Sequence, residues 1–103
     1  MKQDSFKDFV ADQLSEISEL RIRSMFGGYG IYHCSYFFGI IYKGRLYFKT
    51  SEKTKEKYIE AKMEVFQPNS KMALRNYFEV PSEVLEDKLE LQKWTEESIR
   101  ANK

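Results

Sequence analysis

Cysteine, histidine and proline are all scarce in this chain: Cys34 and His33 stand alone, and 103 residues hold two prolines. A single thiol excludes an internal disulfide and a cysteine-based zinc cluster within one chain. A single imidazole starves Ser-His-Asp chemistry and imidazole-centred metal sites. His33 and Cys34, adjacent in a strand, would point to opposite faces and form no nucleophile–base pair. Catalytic, metal-ligating and cofactor-binding residues are therefore all expected to be absent. Long apolar runs are missing too. The longest, Tyr36 to Tyr42, is far too short to span a bilayer, and Met1 to Val10 carries charges with no signal-like stretch. A cytoplasmic protein with no membrane partner is predicted. Finally, no charge sign dominates: 17 Lys+Arg oppose 16 Asp+Glu, a formal +1, unlike globally basic nucleic-acid binders.

What the chain has is aromatic mass. Eight Phe, seven Tyr and one Trp sit in a sequence that is 42% hydrophobic, which supplies one rich core and argues against disorder. At this length folding removes roughly 60–65% of the unfolded surface from water, enough for one domain. Asp4 or Ser5 is placed to cap a first helix. Its apolar stripe is Phe6, Phe9, Val10, Leu14, Ile17 and Leu20. From Leu20 the period changes. Leu20–Phe26, Tyr29–Cys34, Tyr36–Tyr42 and Arg45–Thr50 read as strands, with Gly27-Gly28 and Lys43-Gly44 as tight turns. Ser51–Lys62 reads as a surface helix with Tyr58, Ile59 and Ala61 to bury, followed by a brief extended piece at Glu64–Phe66 and a loop at Pro68-Asn69-Ser70. Ala73–Val80 alternates like a strand and Pro81 opens a helix. Asp87 with Glu90 resembles a capping box for a last helix burying Leu89, Leu91, Trp94 and Ile99. The order α-β-β-β-β-α-β-β-α-α predicts an α+β, two-layer domain, an antiparallel sheet with its helices mainly on one face. Phe9, Leu14, Ile17, Leu46, Phe48, Phe78 and Trp94 are its expected core.

Charge is distributed unevenly. Residues 1–19 hold two Lys and five acids, whereas residues 20–50 hold Arg21, Arg23, Lys43, Arg45 and Lys49 and no acid. Parity places Arg45, Tyr47 and Lys49 on one strand face and Leu46 and Phe48 on the other. Arg75, Tyr77 and Glu79 likewise oppose Leu74, Phe78 and Val80. The predicted sheet thus offers cations interleaved with Tyr. Such a face suits a dimer contact, or base stacking with phosphate pairing, or it is simply a solvated surface. Gly28-Tyr29-Gly30 begins like a dinucleotide fingerprint, but His33 stands where its last glycine belongs, so a turn between strands is preferred. Glu83, Glu86, Asp87 and Glu90 lie beside lysines as a solvated helix face.

The run Arg23-Ser24-Met25-Phe26-Gly27-Gly28-Tyr29-Gly30-Ile31-Tyr32, then Phe38-Gly39-Ile40-Ile41, Arg45-Leu46-Tyr47-Phe48-Lys49-Thr50 and Tyr77-Phe78-Glu79-Val80-Pro81, resembles the N-terminal domain of the TfoX/Sxy family. The pattern continues in Val84-Leu85-Glu86-Asp87 and in Leu91 with Trp94. The resemblance implies an α+β domain of bacterial competence regulators, which act with the cyclic-AMP receptor protein. The chain stops at Lys103, so the C-terminal helical domain of the two-domain regulators is expected to be absent, leaving residues 1–103 as a single domain. Two readings of Met25-Phe26-Gly27-Gly28 stay open, a binding site or a strand–turn that organises the sheet. The candidate interaction surface comprises Arg21, Arg23, Met25, Phe26, Gly27, Gly28, Tyr29, Arg45, Tyr47, Lys49, Arg75 and Tyr77. Its expected occupant is a protein, of the transcription machinery or like the cyclic-AMP receptor protein, or a second copy of the chain. Direct nucleic-acid binding is the alternative.

Overall fold

The computed structural model describes residues 2–25 and 27–101. Its elements run α1 (Lys2–Gln13), β1 (Leu20–Met25), β2 (Gly28–His33), β3 (Tyr36–Tyr42), β4 (Arg45–Lys49), α2 (Lys55–Glu60), β5 (Val65–Asn69), β6 (Met72–Glu79), α3 (Ser82–Leu85) and α4 (Lys88–Arg100). All six strands form one antiparallel sheet in the order β1-β2-β3-β4-β6-β5. The predicted α+β order and class hold. The hairpin between β3 and β4 turns through Lys43 (φ 51°) and Gly44 (φ 73°), two left-handed residues of the kind that match the strand twist.

The helices share one face of the sheet. Val10 and Leu14 of α1, Tyr58 of α2, Val84 of α3 and Leu91 and Trp94 of α4 join Ile31, Phe38, Ile41, Leu46, Phe48 and Phe78 in the main core. In α4 the buried positions are Leu91, Trp94, Thr95 and Ser98, the three-to-four spacing of a helical stripe. Ser98 ties that helix to the sheet: its Oγ lies 2.8 Å from the Lys49 carbonyl and 3.1 Å from that of Phe38, sharing one proton between them. Asp87 caps α4, its carboxylate accepting from the Glu90 N–H at 3.1 Å, while the Glu90 carboxylate accepts instead from Trp94 Nε1. The reciprocal half of the anticipated capping box is thereby replaced.

Several expectations need correction. Helix α1 begins at Lys2, so Asp4 and Ser5 lie within it, and it ends at Gln13 rather than continuing toward Leu20. Phe9 is 39% exposed and Leu89 73%, because each sits at a margin of its helix that no neighbouring element covers; Ile59 and Ala61 are exposed as well. Pro68 and Asn69 belong to β5 rather than to a loop. Strand β6 carries an irregularity: Val65 pairs with Phe78 but the next residue, Phe66, pairs with Leu74. The extra residues in β6 reverse its parity, so Leu74 packs with Tyr77 on the helix-free face instead of with Phe78. Strand β2 ends at His33, and Cys34 occupies a turn at φ 57°.

Candidate functional site

The sheet face without helices builds its own layer. Ile40, Tyr47, Phe66 and Tyr77 are buried there, flanked by Met25, Phe37, Tyr42, Met72 and Leu74. Rings touch in sequence: Tyr32 with Phe37 (5.2 Å between centroids), Phe37 with Tyr77 (5.4 Å), and Phe66 edge-on to both Tyr42 and Tyr47. Tyr77 also donates its hydroxyl to the Phe37 carbonyl at 3.2 Å. Burial, then the neighbouring Tyr36 and Tyr32 hydroxyls, pushes its ionisation well above the ordinary phenol range. Tyr47 is raised by burial first and by Glu79 next. Tyr47 and Tyr77 are each 8% exposed, so their rings are engaged with other rings and present little surface to an incoming base.

The candidate cations separate into two groups. Arg45 Nη1 lies 3.0 Å from both carboxylate oxygens of Glu79 on β6, a pairing created by the direct β4–β6 contact. Lys49 sits 5.4 Å above the Tyr36 ring. Arg75 is exposed on β6. Arg21 and Arg23 stand apart on β1, three strand spacings from β4, which is about 14 Å. Both are exposed, and neither makes an ion pair among the described residues. Leu20 and Ile22 turn to the helical core, while Arg21, Arg23 and Met25 share the other face. Arg21 is opposite Tyr32 and Arg23 opposite Gly30. A groove of about 740 Å³ opens there, lined by Glu19, Arg21, Arg23, Tyr32 and Ser35 among others.

The glycine block acquires a structural explanation. Gly27 turns the hairpin at φ 77°, and a Cβ on Gly28 would lie 2.2 Å from the Ile41 carbonyl oxygen of β3. Both positions are therefore demanded by the backbone. Tyr29 packs against the helical core beneath the Lys7 ammonium. Phe26 lies outside the described residues. Two contributors escaped the candidate surface. Tyr32 flanks Arg21, and Gly30 leaves room where Met25, Phe37 and Tyr32 converge, its absent Cβ otherwise 2.8 Å from Met25 Sδ. Counting back from the closing pair Met25–Gly28 would have placed Tyr32 opposite Arg21.

The half-buried His33 ring lies 3.1 Å from the Ser18 carbonyl through Nδ1, and Cys34 is an exposed free thiol. Among the described residues no three His, Cys, Asp or Glu side chains gather as metal ligands, and no helix is long and apolar enough to cross a membrane. The arrangement sets side by side a sheet-margin strand, two arginines with no ion pair among the described residues, and an aromatic layer on the same sheet face. No curated protein matches the chain. The family model described as the TfoX N-terminal domain matches residues 12–102, from the end of α1 through α4, and the chain belongs to that family.

Proposed function

We propose that this domain is a non-catalytic interaction module linked to transcription regulation, which binds a protein through the open side of the β1–β2 hairpin. One observation carries the reading: Arg21 and Arg23 project from β1 with no carboxylate of the described chain paired to them. Of the other candidate cations, Arg45 is engaged by Glu79 and Lys49 by the Tyr36 ring, while Arg75 stands singly on β6 with no second arginine two residues away on its face. Two neighbouring arginines are a small electrostatic footprint for a phosphate backbone, and Tyr47 and Tyr77 are buried, which favours a protein over a nucleic acid. Family membership supports a partner in the transcription machinery or of the cyclic-AMP receptor protein type. The test is a photo-crosslinking phenylalanine analogue at Tyr32 in the native cell, with exposed Lys93 as the control position. A discrete protein adduct at Tyr32, lost on Arg21→Glu/Arg23→Glu, is expected. An adduct to nucleic acid, no adduct, or one indifferent to the double reversal overturns the reading.

A further inference from the structure

The two margins of the sheet differ in kind. Strand β5 contains Pro68, which has no N–H, and its pairing with β6 breaks register twice. Strand β1 has neither protection: it is six residues long, free of proline and glycine, and pairs without interruption from Leu20–His33 to Met25–Gly28. The Cys34 N–H donates to the Glu19 carbonyl at 2.9 Å, just before the first of these pairs. Antiparallel alternation then sets Arg21, Arg23 and Met25 in the pairs hydrogen-bonded to β2, and directs the N–H and C=O of Leu20, Ile22 and Ser24 away from it. No described strand lies on that side.

From this, and resting on the proposed protein-binding function, we infer that β1 accepts an extended acidic segment of a partner protein as a seventh strand. The outward backbone groups provide the ladder. The side chains set the sequence. Arg21 and Arg23 occupy one face two residues apart, so the incoming strand places carboxylates at alternate positions opposite them. Its intervening residues fall on the side of the half-buried Leu20 and Ile22, where β-branched side chains fit. Glu19 closes the groove at one end and confines the acidic requirement to the two arginine positions. A second copy of this chain is a poor occupant. Antiparallel β1–β1 pairing centred on Ile22 would set Arg21 of each chain against Arg23 of the other, like charges directly opposed.

The probe is a capped Thr-Glu-Val-Glu-Val-Thr peptide added to the full chain, read by amide hydrogen exchange and by titration. At saturation, exchange of the Leu20, Ile22 and Ser24 amides is expected to slow about tenfold or more. Arg21→Glu/Arg23→Glu is expected to weaken binding about tenfold, and a peptide N-methylated at the amides facing β1 to lose it. Ser24→Pro removes only an outward donor from an edge strand and is expected to leave the circular dichroism spectrum intact while blocking the peptide. The N-methylated peptide keeps the test decisive if Ser24→Pro unfolds the chain. Peptide binding without protection of those three amides, or equal binding of the N-methylated peptide, overturns strand addition while leaving protein recognition standing. Concentration-dependent protection of β1 without peptide overturns it in favour of self-pairing. Displacement of the peptide by an oligonucleotide with a steep salt slope overturns it together with the protein-binding reading.

Discussion

Replacing Gly28 with alanine separates a glycine needed by the fold from one needed by a ligand. The added Cβ would stand 2.2 Å from the Ile41 carbonyl oxygen, 3.3 Å from its carbon and 3.2 Å from Tyr42 Cδ1. Two of these atoms are backbone and cannot rotate aside, so β2 and β3 must part by about 1 Å to restore ordinary contact. Such a displacement forfeits one or two ladder bonds at about 1 kcal/mol each and adds overpacking of about 1–3 kcal/mol. The expected loss is about 3–4 kcal/mol, a large part of the roughly 5–15 kcal/mol that holds a typical domain together. Two neighbours serve as controls. Gly27 has no atom within 4 Å of its would-be Cβ but sits at φ 77°, so Gly27→Ala should cost about 1 kcal/mol after the stiffer unfolded chain offsets part of the strain. At Gly30 the nearest atom is the movable Met25 Sδ, and Gly30→Ala should also cost about 1 kcal/mol. Urea melts of the three variants give the order directly. A Gly28→Ala protein as stable as wild type that no longer forms the Tyr32 crosslink would refute the argument and make the glycine block a binding element.

Tyr47→Ala should destabilise about as much as Phe48→Ala, about 3–5 kcal/mol in either case, because Tyr47 is buried against Phe66 although strand parity alone puts it on the outer face. Lys62→Gly should raise stability by about 1 kcal/mol in the same melts. Lys62 holds φ 64° after α2, with its own N–H on the Ile59 carbonyl and the Met63 N–H on that of Tyr58, a helix-ending motif that favours glycine. A double-mutant cycle of Arg45→Ala and Glu79→Ala should give a coupling of at most about 1 kcal/mol that shrinks with salt, since the Arg45 side chain is 59% exposed. Burial raises the ionisation of Tyr36, Tyr47, Tyr58 and Tyr77 in the fold. Above about pH 10 the unfolded chain releases these protons and the native one retains them, so stability should fall as pH rises beyond 10. Phenolate absorbance of these four should then appear together with loss of the native near-ultraviolet circular dichroism.

Element order was legible because each strand carried its own signal: Leu46 and Phe48 alternate with polar neighbours, and Lys43-Gly44 supplies the left-handed turn. What stayed hidden depends on how elements meet. Helical periodicity selects Phe9 and Leu89 as apolar but carries no record of where the adjoining helix stops covering them. Unbroken alternation puts Leu74 on the face of Phe78, and the irregularity in β6 that reverses it arises only in pairing with β5. The same holds for the candidate surface. Arg45 is neutralised by Glu79 only because β4 lies beside β6 with β5 displaced to the margin, a crossover that local sequence does not announce. Arg21 and Arg23 have no ion pair among the described residues for the complementary reason, because β1 has a described strand on one side only.

The inequality of the two sheet margins also fixes a valency. A sheet accepting strands at both ends can be extended repeatedly, and copies or ligands then propagate into filaments whose growth depends steeply on concentration. Here Pro68 and the broken register of β5 disfavour addition at one end, so the strand addition proposed at β1 would use the one regular margin among the described strands. Under that proposal occupancy would saturate at one segment per domain along a simple hyperbola, and the complex would terminate itself.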